Sequence, residues 1–352
     1  MKSDVFGVRP VFVVGAPRSG TTLMQLLIAS QDNFFSVPET RFFLYGMRPF
    51  LKTKKHGLSY NDVVIIIDRL THSESNTLRN EECINRLKYT SLLYDGEYPS
   101  LAVCDALKQR MLDSIKKRPI SVASVCDCVV RMLANINDVN QRWVEKTPKH
   151  VCFLDEIFSA FPDAYVIHMI RDARDVASSF VSCKNIHRTD ERYWYIYRRA
   201  LQWNMCVSAG MKYGNDARVK NVFYRDLVLS PESMMNDVMH FVGGVFNKET
   251  LHSFDNVFEE CVLTEEHDHK KLCAEGRIVN RESIWKKRLV KNECWIVNNV
   301  CRNFMEKLGF ERQDVKISAM NKCSVFFEIL IQQAKQCLKR LCAKSKLVFC
   351  RI

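Results

Sequence analysis

The stretch VFVVGAPRSGTTLMQLLIAS, residues 11–30, constrains the fold more than any other part of the 352-residue chain. A continuous apolar run ending in glycine reads as a parallel strand buried on both faces. Leu23, Leu26 and Leu27 recur at helical spacing after the loop, so the unit reads strand, loop, helix. Two glycines separated by four residues between a strand and a helix have the spacing of a phosphate-binding loop, in which backbone N–H groups and the helix dipole receive an anion. Thr21 stands where a triphosphate-binding loop carries lysine. That lysine reaches the β/γ phosphates beside a bound Mg²⁺. Its absence disfavours a triphosphate–Mg²⁺ ligand and favours one with a single phosphate linkage and a less charged transferable group. On spacing alone an ordinary glycine turn stays open; Arg18 and the hydroxyls of Ser19, Thr21 and Thr22 around Gly20 weigh toward an anion site.

Further along, AYVIHMI (164–170) and VKNVFY (219–224) read as strands, and a second short strand precedes Glu39. Helical patterns alternate with them: KHVCFLDEIFSAF, after RWVEKTPKH and with Pro148 in its first turn, RDARDVASSF after AYVIHMI, and SPESMMNDVMHFVGG after VKNVFY, with Ser230 as cap, Pro231 at the first position and Gly243 at the end. Residues of about 40–140 are mostly helical in pattern, including NDVVIIIDRL, EECINRLKYTSLL and LAVCDALKQRMLDSI. The fold class expected is therefore α/β, a P-loop-type parallel sheet flanked by helices, with a helical insertion at about 40–140 and a basic C-terminal helix. A main domain over residues 8–312 and a tail over 313–352 follow from that division.

The formal charge of +12 asks for an anionic partner. From Lys316 onward eight Lys/Arg face one acid, Glu328, so the tail supplies +7. The body is then only mildly basic, which speaks against nucleic acid. The tail reads either as a peripheral contact with an anionic membrane or as a terminal helix with a solvated basic face. Fifteen cysteines without a C-x-x-C pair read as buried thiols of a reducing compartment, Cys104, Cys152, Cys183 and Cys206 among them. His267 and His269 lack further ligands at suitable spacing, so no metal is expected. No run of eighteen apolar residues and no apolar stretch in MKSDVFGVRP are present; a cytoplasmic chain, membrane-associated at most at its periphery, is the expectation.

A second motif, HMIRDARDVASSF, puts Arg171 at a strand end and Ser179 eight residues on, inside the following helix. Taken alone it fits solvated charges as well as an anion grip. Together with PRSGTTL, in this order, it resembles the sulfotransferases that use 3′-phosphoadenosine 5′-phosphosulfate (PAPS). PRSGTTL resembles the 5′-phosphosulfate loop of that family and IRDARDVASSF its 3′-phosphate motif. PETRFF, EKTPKH, VFYRDLVLSP and GRIVN resemble the tyrosylprotein sulfotransferase-like and bacterial branch. The resemblance covers about residues 8–312.

That resemblance implies a sulfuryl transfer from PAPS, without a metal, to an acceptor hydroxyl. It implies donor contacts from Arg18, Ser19, Gly20, Thr21, Thr22, Arg171, Ser179, Tyr224 near adenine and Arg277 over the 3′-phosphate. It makes Glu39 the catalytic base and assigns Lys146, with Arg18, to the transferring group and leaving oxygen. Around Lys146 the match is partial: the branch has asparagine before it and aspartate–proline after it, where this chain has Glu145 and Thr147–Pro148. Read by themselves, Glu39 fits a helix first turn, Lys146 and Arg277 fit surface charges, and Tyr224 fits a core tyrosine. Trp203, Trp285 and His168 are read as packing residues. A glycan or small-molecule acceptor ranks above peptide tyrosine. The rivals are a P-loop kinase or NTPase, against which Thr21 argues, and a non-catalytic anion- or membrane-binding protein.

Overall fold

The computed structural model describes residues 9–37, 39–51, 57–71, 101–116, 120–134, 140–183, 191–252, 277–311 and 313–349. The helix expected over EECINRLKYTSLL, His267 and His269, and the side chains of Cys104 and Cys183 lie outside the described parts. Two compact units are formed, residues 1–170 with 209–280, and residues 171–208 with 281–352.

The first unit is built on a five-stranded parallel sheet in the order β2-β3-β1-β4-β5. The strands are β1 (Val11–Gly15), β2 (Phe34–Ser36), β3 (Arg142–Glu145), β4 (Tyr165–Ile170) and β5 (Val219–Phe223). β1 is buried throughout and β4 nearly so, as their continuous apolar runs predict for central parallel strands. β5, at the edge, is only half-buried and carries Lys220 and Asn221. β3 is a strand that periodicity does not predict: its four residues begin with Arg142 and end with Glu145, and its place between β2 and β1 makes it a strand. Leaving β1, the chain passes to one side of it for β2 and later to the other for β4. The end of β1 therefore sits where strand order reverses, the customary ligand crevice of open parallel sheets.

Helix α1 (Thr21–Ala29) lays Leu23, Leu26, Leu27 and Ile28 on Val11, Val13, Ile167 and Met169. The same core takes Tyr224 and Leu227 of α8 (Tyr224–Leu229) and Met235, Val238, Met239 and Val242 of α9 (Pro231–Val242). Each fully buried aliphatic side chain of this kind contributes about 1.5–3 kcal/mol. Alternation sends Phe12 to the opposite side, where it meets Trp143 edge-on at 5.3 Å and Phe43 at 6.3 Å. A 3-10 turn over Pro148–Phe153 leads into α5 (Leu154–Ala160). The insertion contains α2 (Tyr60–Thr71), α3 (Leu101–Ile115) and α4 (Val122–Ala134). Ser59 with Asp62, and Ser121 with Ser124, exchange side-chain and backbone hydrogen bonds at the starts of α2 and α4. Pro231 and Gly243 bound α9 as expected, but Ser230 makes no side-chain cap, its backbone being already committed to closing α8.

The second unit holds α6 (Ala173–Cys183), most of α7 (Arg192–Met211), α10 (Trp285–Arg288), α11 (Lys291–Lys307) and α12 (Ala319–Phe349). Arg192 at the start of α7 pairs with the buried Glu293 of α11. Cys206, Cys294 and Cys301 are buried thiols, and burial pushes Cys294 up to about 11 and Cys301 higher still. In the first unit Cys152 is only half-buried, because the 3-10 turn faces it partly outward.

His168 lies fully buried in β4, its Nδ1 2.8 Å from the Asn221 side-chain oxygen on β5. Burial holds its imidazole down at about 4, against an ordinary 6.5. A depressed folded value means that this contribution to stability is complete above pH 6.5 and is lost as pH falls toward 4. Over that window the group removes about 3 kcal/mol. Urea unfolding at neutral and at acid pH is expected to show a clearly smaller acid loss in His168→Gln than in the parent; equal losses would rule His168 out as the source.

Candidate functional site

The loop after β1 is shaped by close approaches that exclude side chains. Gly15 has φ 145°, and a Cβ there would overlap the Met169 carbonyl oxygen at the end of β4. Gly20, at φ 90°, lies so near Tyr224 that a Cβ would stand 2.5 Å from its ring. Between them Arg18 adopts a left-handed φ of 80°, and the Ser19 N–H donates to the Ala16 carbonyl at 3.1 Å. Gly20 precedes α1 without any side-chain cap, so the first N–H groups of the helix are left for an anion. The Ser19 hydroxyl is buried and has no hydrogen-bond partner among the described residues. A buried hydroxyl in that condition is costly unless a ligand completes it. The loop therefore fits a bound phosphate or sulfate ester.

Glu39 and Lys146, 107 residues apart in sequence, meet at 2.7 Å, and the Arg41 Nε lies 3.5 Å from the other Glu39 oxygen. Lys146 is nearly buried while Glu39 keeps 31% of its side chain exposed. Glu39 is not in a helical first turn: the FFLYG segment forms a π-turn, Phe42–Gly46, and Arg41 precedes it at φ 53°. Lys146 is not a surface charge.

The pair is held by a buried cluster that sequence reasoning did not single out. The Glu145 carboxylate accepts from the Thr40 N–H at 3.2 Å and hydroxyl at 2.8 Å, from the Thr147 hydroxyl at 2.6 Å, and from His150 Nδ1 at 2.9 Å. The Phe43 N–H donates to His150 Nε2 at 3.2 Å. With that N–H directed at Nε2, the His150 ring turns its Nδ1 proton toward Glu145. Burial alone would raise the Glu145 carboxyl, but His150, Thr147 and Thr40 outweigh it and hold it low. Thr40 adjoins Glu39 and Thr147 adjoins Lys146, so one carboxylate clamps the two segments that carry the pair. On the loop side, Gln25 of α1 donates to Ser36 Oγ at 2.7 Å and the Val37 carbonyl at 2.8 Å. The only sequence signal was the departure from the expected pattern at Glu145.

Tyr224 opens α8 directly after β5; it is a buried core residue whose hydroxyl donates to the Val279 carbonyl at 3.1 Å. That bond brings the segment bearing Arg277 to the tyrosine behind Gly20. Arg277 lines a depression with Ser230, Glu232, Ser233 and Asn236.

Arg171 and Ser179 belong to the second unit. Arg171 directly follows β4 in the chain; it donates to the Arg281 carbonyl at 2.6 Å and accepts at its own carbonyl from the Trp203 indole at 2.9 Å. Asp175 accepts from the Ser283 and Trp285 N–H groups at 2.9 and 3.0 Å. The Arg174 guanidinium, paired with Asp172, lies 4.4 Å from the Trp285 ring centre. Trp203 and Trp285, read as packing residues, are thus also hydrogen-bonding supports of the RDARD segment. Ser179 is half-buried within α6. Among the described residues no group of three His, Cys, Asp or Glu side chains is arranged to hold a metal.

Glu145→Ala would strand several buried donors, each costing about 1–3 kcal/mol. The thermal midpoint is expected to fall by at least about 5 °C, read by calorimetry. An unchanged midpoint would show that the cluster carries no stability.

A family model described as "Sulfotransferase family" matches residues 10–247. The protein-tyrosine sulfotransferase of Drosophila melanogaster is 24% identical over 247 residues, 69% of this chain and 39% of that protein. The protein-tyrosine sulfotransferase A of Caenorhabditis elegans is also 24% identical over 247 residues, covering 69% and 52%. The chain thus spans about half the length, or less, of these relatives. Among solved structures, the sulfotransferase domain of the Synechococcus olefin synthase superposes with a TM-score of 0.54 at 18% identity, over 89% of this chain and 99% of that one. The sulfotransferase domain of the curacin biosynthetic pathway gives 0.54 at 16% identity, over 88% and 100%. These likenesses establish the fold. The family match runs from β1 through α9, across the loop, the Glu39–Lys146 pair and the RDARD segment, and the chain belongs to the sulfotransferase family.

Proposed function

We propose that this chain is a PAPS-dependent sulfotransferase acting on an acceptor hydroxyl. The observation that carries the reading is the Glu39–Lys146 pair, a carboxylate and an ammonium at 2.7 Å in the same unit as an anion loop. Bound PAPS would supply an activated sulfuryl group, whose bond to the 5′-phosphate breaks as the acceptor oxygen bonds to sulfur. A transferring sulfuryl group carries less charge than a phosphoryl group, which matches a loop with one arginine and threonine in the lysine's place.

In this reading Glu39, partly exposed, takes the proton of the acceptor hydroxyl. Lys146 donates to the oxygen that bridges sulfur and phosphorus, and Arg18 with the N–H groups of Ser19, Gly20, Thr21 and Thr22 stabilises the leaving 5′-phosphate. The unsatisfied Ser19 hydroxyl supports that assignment. Arg171 and Ser179 take the 3′-phosphate, Tyr224 borders the adenine and Arg277 covers the 3′-phosphate; the support for these four is the family resemblance. No metal enters the reading, because Thr21 leaves no triphosphate–Mg²⁺ arrangement to serve. The acceptor proposed is a glycan or small-molecule hydroxyl. Peptide tyrosine is the second reading, favoured by the names of the relatives above. A cytoplasmic location belongs to the same proposal, supported by the buried thiols Cys126, Cys294 and Cys301.

Titration calorimetry with 3′-phosphoadenosine 5′-phosphate is expected to give binding near micromolar, unchanged by Mg²⁺. No binding, or binding that requires Mg²⁺, would overturn the donor assignment and favour a kinase or NTPase.

With labelled PAPS and a panel of glycans, small alcohols and tyrosine peptides, the parent is expected to transfer label. Glu39→Gln is expected to keep nucleotide affinity while its turnover drops by about 10²–10⁴-fold, the usual worth of a general base. Full turnover in that variant would remove Glu39 as the base; donor binding with no transfer to any acceptor would favour a non-catalytic protein.

A further inference from the structure

Helix α12 buries one face and leaves a second apolar face outward. Val325, Ile329 and Gln332 are buried, at the i, i+4, i+7 spacing of one helical stripe. Met320, Phe327, Leu330 and Leu338 are 79, 68, 61 and 62% exposed. At 3.6 residues per turn they fall on the side of the helix away from the buried stripe, with Ile331 beside them. A helix resting on a protein surface normally turns polar residues to solvent on that side. Here polar residues flank the stripe instead, Lys322 with Gln333 on one side and Lys335 with Ser324 on the other; the charged ones, both lysines, are exposed.

The single acid of the tail is turned inward. The Glu328 carboxylate accepts from the Tyr193 and Trp194 N–H groups at 2.8 and 3.1 Å, at the first turn of α7. It serves that helix end, where a negative charge is favourable, and leaves the outward face of α12 without an acid between Lys316 and the end of the chain. The sequence of the helix continues with Lys339, Arg340, Lys344 and Lys346. No helix among the described residues is long and apolar enough to cross a membrane.

We propose that the outward face of α12 is a docking surface for an anionic lipid bilayer, with Phe327, Leu330 and Leu338 at the boundary of headgroups and acyl chains and Lys322 and Lys335 on the headgroups. An apolar stripe flanked by lysines is the pattern of a helix lying in a membrane interface, and each basic residue adds attraction to acidic lipid. Charge chooses this occupant over a second copy of the chain. Pairing two such faces would bring Lys322 and Lys335 of both copies together with no acid to offset them. The surface is independent of the donor chemistry, and its consequence would be to hold the enzyme at a membrane without spanning it.

The test is flotation of the full chain with phosphatidylcholine vesicles, with and without about 30% phosphatidylserine. Binding is expected to the acidic vesicles, to weaken with added salt, and to be at least about tenfold weaker on phosphatidylcholine alone. Phe327→Asp with Leu330→Asp is expected to lower acidic-vesicle binding by about tenfold or more, with nucleotide binding and thermal midpoint unchanged. Lys322→Glu with Lys335→Glu, at two exposed positions, gives the same expectation should the first variant misfold. Failure to bind acidic vesicles at low salt overturns the proposal. So does binding that neither variant reduces, and so does a concentration-dependent dimer in sedimentation, lost in the first variant, without vesicle binding.

Discussion

The contact between the ends of β1 and β4 governs the rest of the first unit. At Gly15 the Met169 carbonyl occupies the space that any side chain would need. Only glycine lets the two central strands stay paired to their ends, Gly15 opposite Met169, while the chain turns sharply into the loop. From that turn follow the left-handed Arg18, the Gly20 approach to Tyr224 and the uncapped start of α1. The shape of the loop is thus a by-product of how closely two backbones approach.

A parallel sheet sends every strand end to one edge, and within the first unit the loop follows β1, Glu39 follows β2, Lys146 follows β3 and Tyr224 follows β5. Topology brings the ends of β2 and β3 side by side, with Ser36 opposite Val144. Glu145 then converts that neighbourhood into a fixed geometry. A buried carboxylate satisfied by four donors costs much less to bury than a bare one, and its donors come from both segments. Where relatives of this branch are expected to carry asparagine, this chain has a charge that His150 and two threonines absorb.

Most of the central architecture was legible. β1, β4, α1 and α9 carry strong periodicity or a continuous apolar run, and burial in the structure follows it. β3 was not legible: four residues with charged ends give no period, and pairing on both sides made it a strand. The π-turn over Phe42–Gly46 likewise owes its place to Phe43 packing on Phe12 and to His150. Ser230 shows the limit of local capping rules, since two consecutive helices compete for one residue. For the candidate site, the sequence singled out Glu39 in PETRFF and Lys146 in EKTPKH, but nothing in either motif says that the two meet.

By itself the sequence determined a parallel α/β sheet, a glycine-bounded loop between its first strand and helix, and a basic tail, because apolar period, glycine spacing and charge act locally along the chain. Tertiary structure decided which distant residues share a site, how Glu145 orders them, and which face of α12 is left to solvent. Those depend on strand order and on helix packing, which bring together residues more than a hundred positions apart and leave no periodic trace in the chain.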